Sequence, residues 1–295
     1  MSHNHSHHHD NSGKSLKLAF FLNLSFTLLE IVGGLYVNSV AILSDALHDL
    51  GDSFSLGLSW YLNEYSKKKP NNKFTFGYNR FSLMGAFVNS LVLIGGSVYI
   101  IIEAIQRLMN PEESNAQGMF IFAIIGIVVN GYAAFKLSGG KTLNERVVSL
   151  HLIEDVLGWV AVLIASIVMM FVDAPYLDPL LSLGITLYIL YNVIKRLKET
   201  LFIMLQGTPY DIDPEKLKNE ILQVQNVLSL HHMHIWSLEG ENHVFAVHVK
   251  INNTTSFSEV LKIKNAVKTI LKKYPFSHYT IEVELDEESC ELENK

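Results

Sequence analysis

Two segments of 22 residues, Phe81–Ile102 and Ser114–Phe135, contain no Asp, Glu, Lys or Arg. A helix of about 20 apolar residues crosses the ~30 Å hydrocarbon core of a bilayer, so each segment is long enough to span a membrane. The composition agrees, since 49% of the residues are hydrophobic and 18% are charged, against roughly 25% charged in an ordinary soluble domain. The sequence therefore predicts a membrane protein with a helical membrane domain.

Four further apolar segments carry isolated ionisable residues and bring the predicted number of membrane helices to six. These segments are Lys17–Val37, Val40–Leu62, Val147–Val172 and Asp178–Leu205. The polar start of the chain, Met1–Lys17, lacks the apolar stretch of a signal peptide, so we expect the first span to be retained.

Basic residues are concentrated in alternate connections between the predicted helices. The positive-inside rule places these connections, and with six crossings both termini, in the cytoplasm. The basic residues of this side are Lys14, Lys17, Lys67, Lys68, Lys69, Lys73, Arg80, Lys136, Lys141, Arg146, Lys195, Arg196 and Lys198. We therefore predict a His-rich cytoplasmic segment at residues 1–16, a membrane domain at 17–206 and a cytoplasmic domain at 207–295.

The last third of the chain has the patterns of a small soluble domain. Helical spacing is present at Asp213–Val224 and Ser256–Lys273, and strand-like patterns are present at Val227–Ser237, His243–Ile251 and Tyr279–Leu285. The order αββαβ predicts a two-layer α+β domain.

Ionisable residues recur within two of the apolar segments. An ionised side chain at mid-membrane costs about 2.5–3.5 kcal/mol or more, so it is retained there when it is paired, hydrated or functional. At 100° per residue, the ionisable residues of each segment lie on one face of the predicted helix. The two polar stripes are Asp45, His48, Asp49 and Asp52 in the second segment, and His151, Glu154 and Asp155 in the fifth.

Each stripe contains a histidine and an aspartate at positions i and i+4, one turn apart on the same face. The pairs are His48 with Asp52 and His151 with Asp155. Two such faces opposed would supply two imidazole nitrogens and two carboxylates, which suits tetrahedral Zn²⁺, whereas Mg²⁺ and Ca²⁺ prefer oxygen shells. The alternative is a set of buried polar groups that hydrogen-bond the helices together.

These residues and their neighbours resemble a known family. The segment from Ser39 to Asp52 reads Ser-Val-Ala-Ile-Leu-Ser-Asp-Ala-Leu-His-Asp-Leu-Gly-Asp, and Lys73–Tyr78 precedes the third span. With the pair His151 and Asp155, they are similar to the cation diffusion facilitators, in particular the zinc-transporting branch of the bacterial cobalt-zinc-cadmium efflux type. Over essentially the whole chain, the resemblance implies a homodimer that exports divalent metal from the cytoplasm in exchange for protons by alternating access. It implies a transport site of His48, Asp52, His151 and Asp155.

The stripe on the second segment leaves one ambiguity. Asp45 and Asp49 also form an i, i+4 pair. This Asp-x-x-x-Asp pattern resembles the second span of related manganese or iron transporters. Alignment on the preceding segment Ser-Val-Ala-Ile-Leu favours His48 and Asp52 as the metal ligands of this helix. Asp45 then either fixes the tautomer of His48 or forms an interhelical hydrogen bond, and Glu154 has the same two alternatives. Further polar residues in spans one, three and four are interpreted as packing and gating groups: Glu30, Asn89 and Asn130.

Metal binding requires neutral imidazole and ionised carboxylates, so protons and metal compete for the same lone pairs. An unperturbed histidine, with a pKa near 6.5, favours metal loading in a neutral cytoplasm and release at an acidic outer face. We therefore predict Zn²⁺/H⁺ antiport. The alternatives are transport of Cd²⁺, Co²⁺, Ni²⁺, Fe²⁺ or Mn²⁺, and a membrane metal sensor. The sequence lacks a His-Glu-x-x-His motif, so we do not expect an enzyme.

The resemblance also implies that the cytoplasmic domain has a ferredoxin-like fold, dimerises and binds regulatory zinc. The matching positions are His231, His248 and Glu284, with Glu282 where some relatives carry histidine. Strand alternation places His232 and His234 on one face and His231 on the other, so the triplet is not expected to act as one cluster. The alternative is a set of solvated strand histidines.

Four remaining features bear on partners, location and metal supply. The net charge of −6 gives no reason to expect nucleic acid as a partner beside the lipid bilayer. The one cysteine, Cys290, cannot form an internal disulfide and indicates no oxidising compartment. The short, His-free connection between spans four and five is unlike many eukaryotic zinc transporters, which favours a bacterial inner membrane. The N-terminal histidines either collect cytoplasmic metal or belong to a tag: His3, His5, His7, His8 and His9.

Overall fold

The computed structural model describes the backbone of residues 9–66, 68, 70–138, 143–253 and 256–290. Side chains are described for the same residues except 9–20, 22, 55, 56, 59, 60, 62–64, 66, 136–138 and 143–151. The side chains of the five N-terminal histidines and of His151 lie outside this part of the chain. The chain divides into two compact units, one of residues up to 61 with 85–197, the other of 62–84 with 198 onward.

Six long helices follow one another through residue 204. They are α1 (His9–Val37), α2 (Val40–Ser66), α3 (Phe81–Met109), α4 (Ala116–Ser138), α5 (Leu143–Phe171) and α6 (Leu177–Met204). Four described segments are long and apolar enough to cross a membrane: Phe81–Met109, Ala116–Phe135, Leu152–Phe171 and Leu177–Met204. In α1 the described apolar stretch is Asn23–Val37, and several side chains of α2 lie outside the described residues, so spanning by these two helices stays a prediction.

Helices α2 and α3 approach closely where each presents a glycine to a leucine of the other. A Cβ added at Gly51 would lie 2.2 Å from Cδ2 of Leu93, and one added at Gly96 would lie 2.2 Å from Cδ2 of Leu47. Small residues let membrane helices pack closely. These contacts hold α3 beside the turn of α2 that carries His48 and Asp52.

The C-terminal α/β domain contains α7 (Pro214–Leu222), β1 (Val227–Ser237), β2 (His243–Ile251), α8 (Phe257–Leu271) and β3 (Phe276–Leu285), in the predicted αββαβ order. β1 is antiparallel to β2, and β2 is parallel to β3. A parallel pair needs a crossover connection, which α8 supplies. Both helices bury one face on the sheet, in a core that includes Leu217, Phe245, Val249 and Val267.

One strand departs from the alternation that the sequence predicted. The register between β1 and β2 shifts between His231 and His234, and His232 has a φ of 47°. Such a bulge inserts an extra residue and redirects its side chain. The ring centroids of His231 and His232 each lie 5.2 Å from that of His248. The prediction that His231 is separated from His232 is therefore wrong.

We expect Phe245→Ala to destabilise the C-terminal α/β domain far more than Phe257→Ala. The Phe245 side chain is fully buried, whereas Phe257 is 84% exposed. Removal of a buried phenyl ring costs about 3–5 kcal/mol through lost burial and the cavity left behind. Hydrogen exchange of the full chain should show the opening free energy of β2 amides lowered by this amount in Phe245→Ala only. Equal protection of β2 in the two variants would contradict the core described above.

Candidate metal centres

His48 and Asp52 lie one turn apart on α2 and face one cavity. Nε2 of His48 is 3.6 Å from Oδ2 of Asp52, and the two side chains are 21% and 17% exposed. The cavity has a volume of about 50 Å³ and is also lined by Asn89 of α3, Glu154 of α5 and Asn192 of α6. It therefore combines nitrogen and carboxylate donors with room for a metal ion and about one water.

The polar stripe of α2 faces that of α5. A Cβ added at Gly158 of α5 would lie 4.0 Å from Oδ1 of Asp45, and Asp155, one turn earlier on α5, is buried. The structure thus brings the acids of α2 and α5 near one another. The position of the His151 side chain lies outside the described residues.

Glu30 of α1 and Asp49 of α2 are carboxylates with 0% and 1% exposure. The oxygens of both have no hydrogen-bond partner among the described residues. The Asn23 side chain of α1 donates hydrogen bonds to the backbone oxygen of Asp49 and to Oγ of Ser53, at 3.2 and 3.0 Å, so α1 packs against α2 beside them. Burial of a carboxylate without partners is costly, and the interpretation of Glu30 as a packing and gating group stays a prediction.

A second group of metal-binding side chains lies in the C-terminal α/β domain. Donor atoms of His231, His248, Glu284 and Cys290 all lie within 4.8 Å of one another. Nδ1 of His248 is 2.6 Å from Oε1 of Glu284 and 3.8 Å from Sγ of Cys290, and Nε2 of His231 is 2.9 Å from Oε2 of Glu284. Two imidazoles, a carboxylate and a thiol are a donor set that fits tetrahedral zinc.

The sheet and the turn after it bring these four residues together. His231 and His248 are direct partners across β1 and β2, and Glu284 lies on β3. After β3, the Glu288 N–H donates a hydrogen bond to the Leu285 carbonyl at 3.0 Å, and the Leu285 N–H donates one to Oε2 of Glu288 at 3.1 Å. This turn precedes Cys290, whose thiol the sequence analysis did not include among the candidate ligands. The signal available in the sequence was that the one cysteine of the chain follows the last strand of a domain that contains several histidines.

The electrostatics of Glu284 suit a metal ligand. Burial raises the pKa of its carboxyl, but the hydrogen bonds with His248 and Cys290 and the electrostatic effect of the neighbouring His231 and His248 outweigh burial and hold the pKa below its ordinary 4.5. The carboxylate is therefore ionised at neutral pH, as metal binding requires. Oε2 of Glu282 lies 3.3 Å from Nε2 of His248, where it can orient the ring by accepting a hydrogen bond from this second ring nitrogen.

Two family models together match most of the chain. The cation efflux transmembrane domain matches residues 16–205, and the cytoplasmic domain of cation efflux proteins, named ZT_dimer, matches residues 209–286. The chain is similar to the metal-bound C-terminal domain of the CzcD transporter from Cupriavidus metallidurans, with 31% identity over 25% of this chain and 100% of that one, and a TM-score of 0.23.

Full-length relatives show the same relationship. The cadmium, cobalt and zinc/H⁺-K⁺ antiporter of Bacillus velezensis is 34% identical over 96% of this chain and 92% of its own length. The zinc transporter ZitB of Pectobacterium atrosepticum is 33% identical over 98% and 92%, and the metal cation efflux system protein CzcD of Cupriavidus metallidurans is 33% identical over 97% and 91%. The chain is therefore a multi-pass membrane protein that belongs to the cation efflux family.

Proposed function

We propose that this protein exports divalent metal cations from the cytoplasm, with Zn²⁺ as the main substrate. The observation that carries the proposal is the cavity at His48 and Asp52 of α2, which Glu154 of α5 also lines. Ionisable groups at this depth of a membrane domain mark an ion path. The names of the relatives, which include zinc, cadmium and cobalt transport, support the same function and make Cd²⁺ and Co²⁺ the nearest alternative substrates.

We infer that the transport site is formed by His48, Asp52, His151 and Asp155. The cavity supports this choice over the alternative pair Asp45 and Asp49, because His48 and Asp52 line it. Asp49 is 1% exposed and does not line the cavity. Asp155 does not line it either, so its place in the proposed site rests on the resemblance to the cation diffusion facilitators. Two imidazoles and two carboxylates hold Zn²⁺ in a tetrahedron and release it when they are protonated.

We further propose a Zn²⁺/H⁺ antiporter with six membrane crossings, both termini in the cytoplasm and a bacterial inner-membrane location. The distribution of basic residues supports the orientation. We also propose a homodimer that forms through the C-terminal α/β domain, with a ferredoxin-like fold in that domain. The match to the ZT_dimer family supports the dimer. The resemblance gave His231, His248 and Glu284 as ligands of a regulatory zinc, and we propose Cys290 as the fourth, because its sulfur lies with their donor atoms.

Zinc flux in liposomes tests the proposed function. The purified full chain, reconstituted with a zinc-sensitive dye inside, should admit Zn²⁺ at a rate that saturates with external Zn²⁺, and Cd²⁺ and Co²⁺ should compete. Protein-free liposomes, matched for leak, are the control. A protein that binds Zn²⁺ and moves none across the bilayer would be a sensor, and the transporter assignment would then be wrong.

A further inference from the structure

Asp178, near the start of α6, lies apart from the metal ligands and is 0% exposed. Its carboxylate accepts hydrogen bonds from the Ser39 hydroxyl at 2.5 Å and from the backbone N–H groups of Val40 and Ala41 at 2.8 and 3.3 Å. The Ser114 hydroxyl donates to the Asn38 carbonyl at 2.9 Å and also lies 3.4 Å from Oδ2 of Asp178. The first N–H groups of a helix have no acceptor within the helix, and a nearby side chain usually caps them. The cap of α2 thus comes from another helix, and it ties the starts of α2 and α6 together.

Two further hydrogen bonds from hydroxyl groups of α6 join α6 to α2 beyond Asp178. Ser182, one turn further along α6, donates a hydrogen bond to the Val40 carbonyl at 3.3 Å. Thr186, another turn on, shares a 2.7 Å hydrogen bond with Ser44 of α2. Because these α6 residues recur every fourth position, they occupy one face of the helix. The α2–α6 seam is defined here as Asp178, Ser182 and Thr186 of α6 with Ser39 and Ser44 of α2, all of them buried.

The seam ends where the metal cavity begins. His48 follows Ser44 by one turn on α2, and Ile189 follows Thr186 on α6, and both line the cavity. From there the cavity extends along α6 to Arg196, toward the end that the positive-inside rule places in the cytoplasm. Helices α2 and α6 are therefore joined on the outer side of His48 and separated by the cavity on its inner side.

We propose that Asp178 is a positioning residue that holds α2 against α6, and that the α2–α6 seam closes the path from the His48 and Asp52 cavity to the outer face. The inference rests on the proposed function, because only a transporter needs that path to open. A polar seam suits this task. Its hydroxyls and carboxylate bond one another when closed, and they bond water or a passing cation when open, which apolar side chains cannot do.

A thiol placed within the seam reports its opening. Ser182→Cys is introduced into the full chain with Cys290→Ser, and a membrane-impermeant maleimide is applied to the outer face of membrane vesicles. Asp178→Ala should raise the labelling rate at position 182 by about tenfold or more, because it removes the acceptor of the hydrogen bonds from Ser39, Val40 and Ala41 and shifts the population toward the open seam. Asp173→Ala, at an exposed acid on the connection before α6, is the matched control and should leave the rate unchanged.

Two milder variants cover the case in which Asp178→Ala fails to fold. Asp178→Asn retains the shape and one carbonyl acceptor, and Thr186→Val retains the volume while removing the hydrogen bond to Ser44. Each should raise the labelling rate by about threefold, since it weakens one part of the seam. Labelling rates equal to those of Asp173→Ala in the folded variants would overturn the inference.

Flux measurements on the same variants separate a positioning role from a structural one. When the seam is weakened, fewer molecules adopt the conformation in which the cavity is open to the cytoplasm. The Zn²⁺ concentration for half-maximal flux should therefore rise about threefold in Asp178→Asn. A purely structural defect would lower the maximal rate and leave that concentration unchanged. If the unsubstituted chain moves no Zn²⁺, the proposed function is wrong. If it moves Zn²⁺ and the labelling rates are equal, only the inference about Asp178 is wrong.

Discussion

Asp52→Ala is expected to reduce Zn²⁺ flux by about 100-fold or more, because four-ligand zinc sites contribute roughly 10–16 kcal/mol and each ligand therefore a few kcal/mol. The substitution leaves His48 facing the cavity without its carboxylate partner, which lies 3.6 Å away. Initial rates of Zn²⁺ entry into liposomes measure the effect. Glu199→Gln is the control, since Glu199 is an exposed acid of α6 whose loss should leave the rate unchanged.

The comparison with Asp49→Ala decides between the two possible registers on α2. If His48 and Asp52 bind the metal, Asp49→Ala should lower the flux less than Asp52→Ala does. A variant Asp52→Ala with at least half of the normal rate, together with an inactive Asp49→Ala, would place the site at Asp45 and Asp49 instead.

Glu284→Gln is expected to weaken zinc binding by the C-terminal α/β domain by about 100-fold, through loss of one charged ligand of four. Glu282→Gln is the matched control two residues away on the same strand. Because Glu282 contacts only the second nitrogen of His248 in this cluster, its loss should cost about tenfold, as for a residue that orients a ligand.

Chelator competition on the full chain carrying Asp52→Ala isolates this second site from the transport site. Cys290→Ser should weaken binding to a degree similar to Glu284→Gln if the thiol is the fourth ligand. Equal affinities for the Glu284 and Glu282 variants would contradict the proposed ligand set.

Local sequence patterns predicted most of the elements, because charge and periodicity are local properties. β1 and β2 have the predicted bounds, and α3 begins at the predicted Phe81. Helix α2 continues to Ser66, past the predicted end at Leu62, since a polar turn can extend a helix without contributing to hydropathy.

The features that were missed depend on contacts distant in the sequence. The bulge at His231–His234 breaks the regular pleat on which the alternation argument rested. Cys290 follows the last strand, where no periodic pattern extends. The bond between Asp178 and Val40 joins residues 138 positions apart, although the polar residues every fourth position on α6 were a visible signal of a buried contact.

Coupling between Zn²⁺ and protons is the central claim, and flux measured under an imposed pH gradient tests it most directly. In liposomes with the full chain, Zn²⁺ transport should accelerate when the side that receives Zn²⁺ is made acidic, and Zn²⁺ addition should drive protons in the opposite direction. Both effects should disappear in Asp52→Ala. A Zn²⁺ rate that is indifferent to the gradient, with no accompanying proton movement, would contradict antiport at this site.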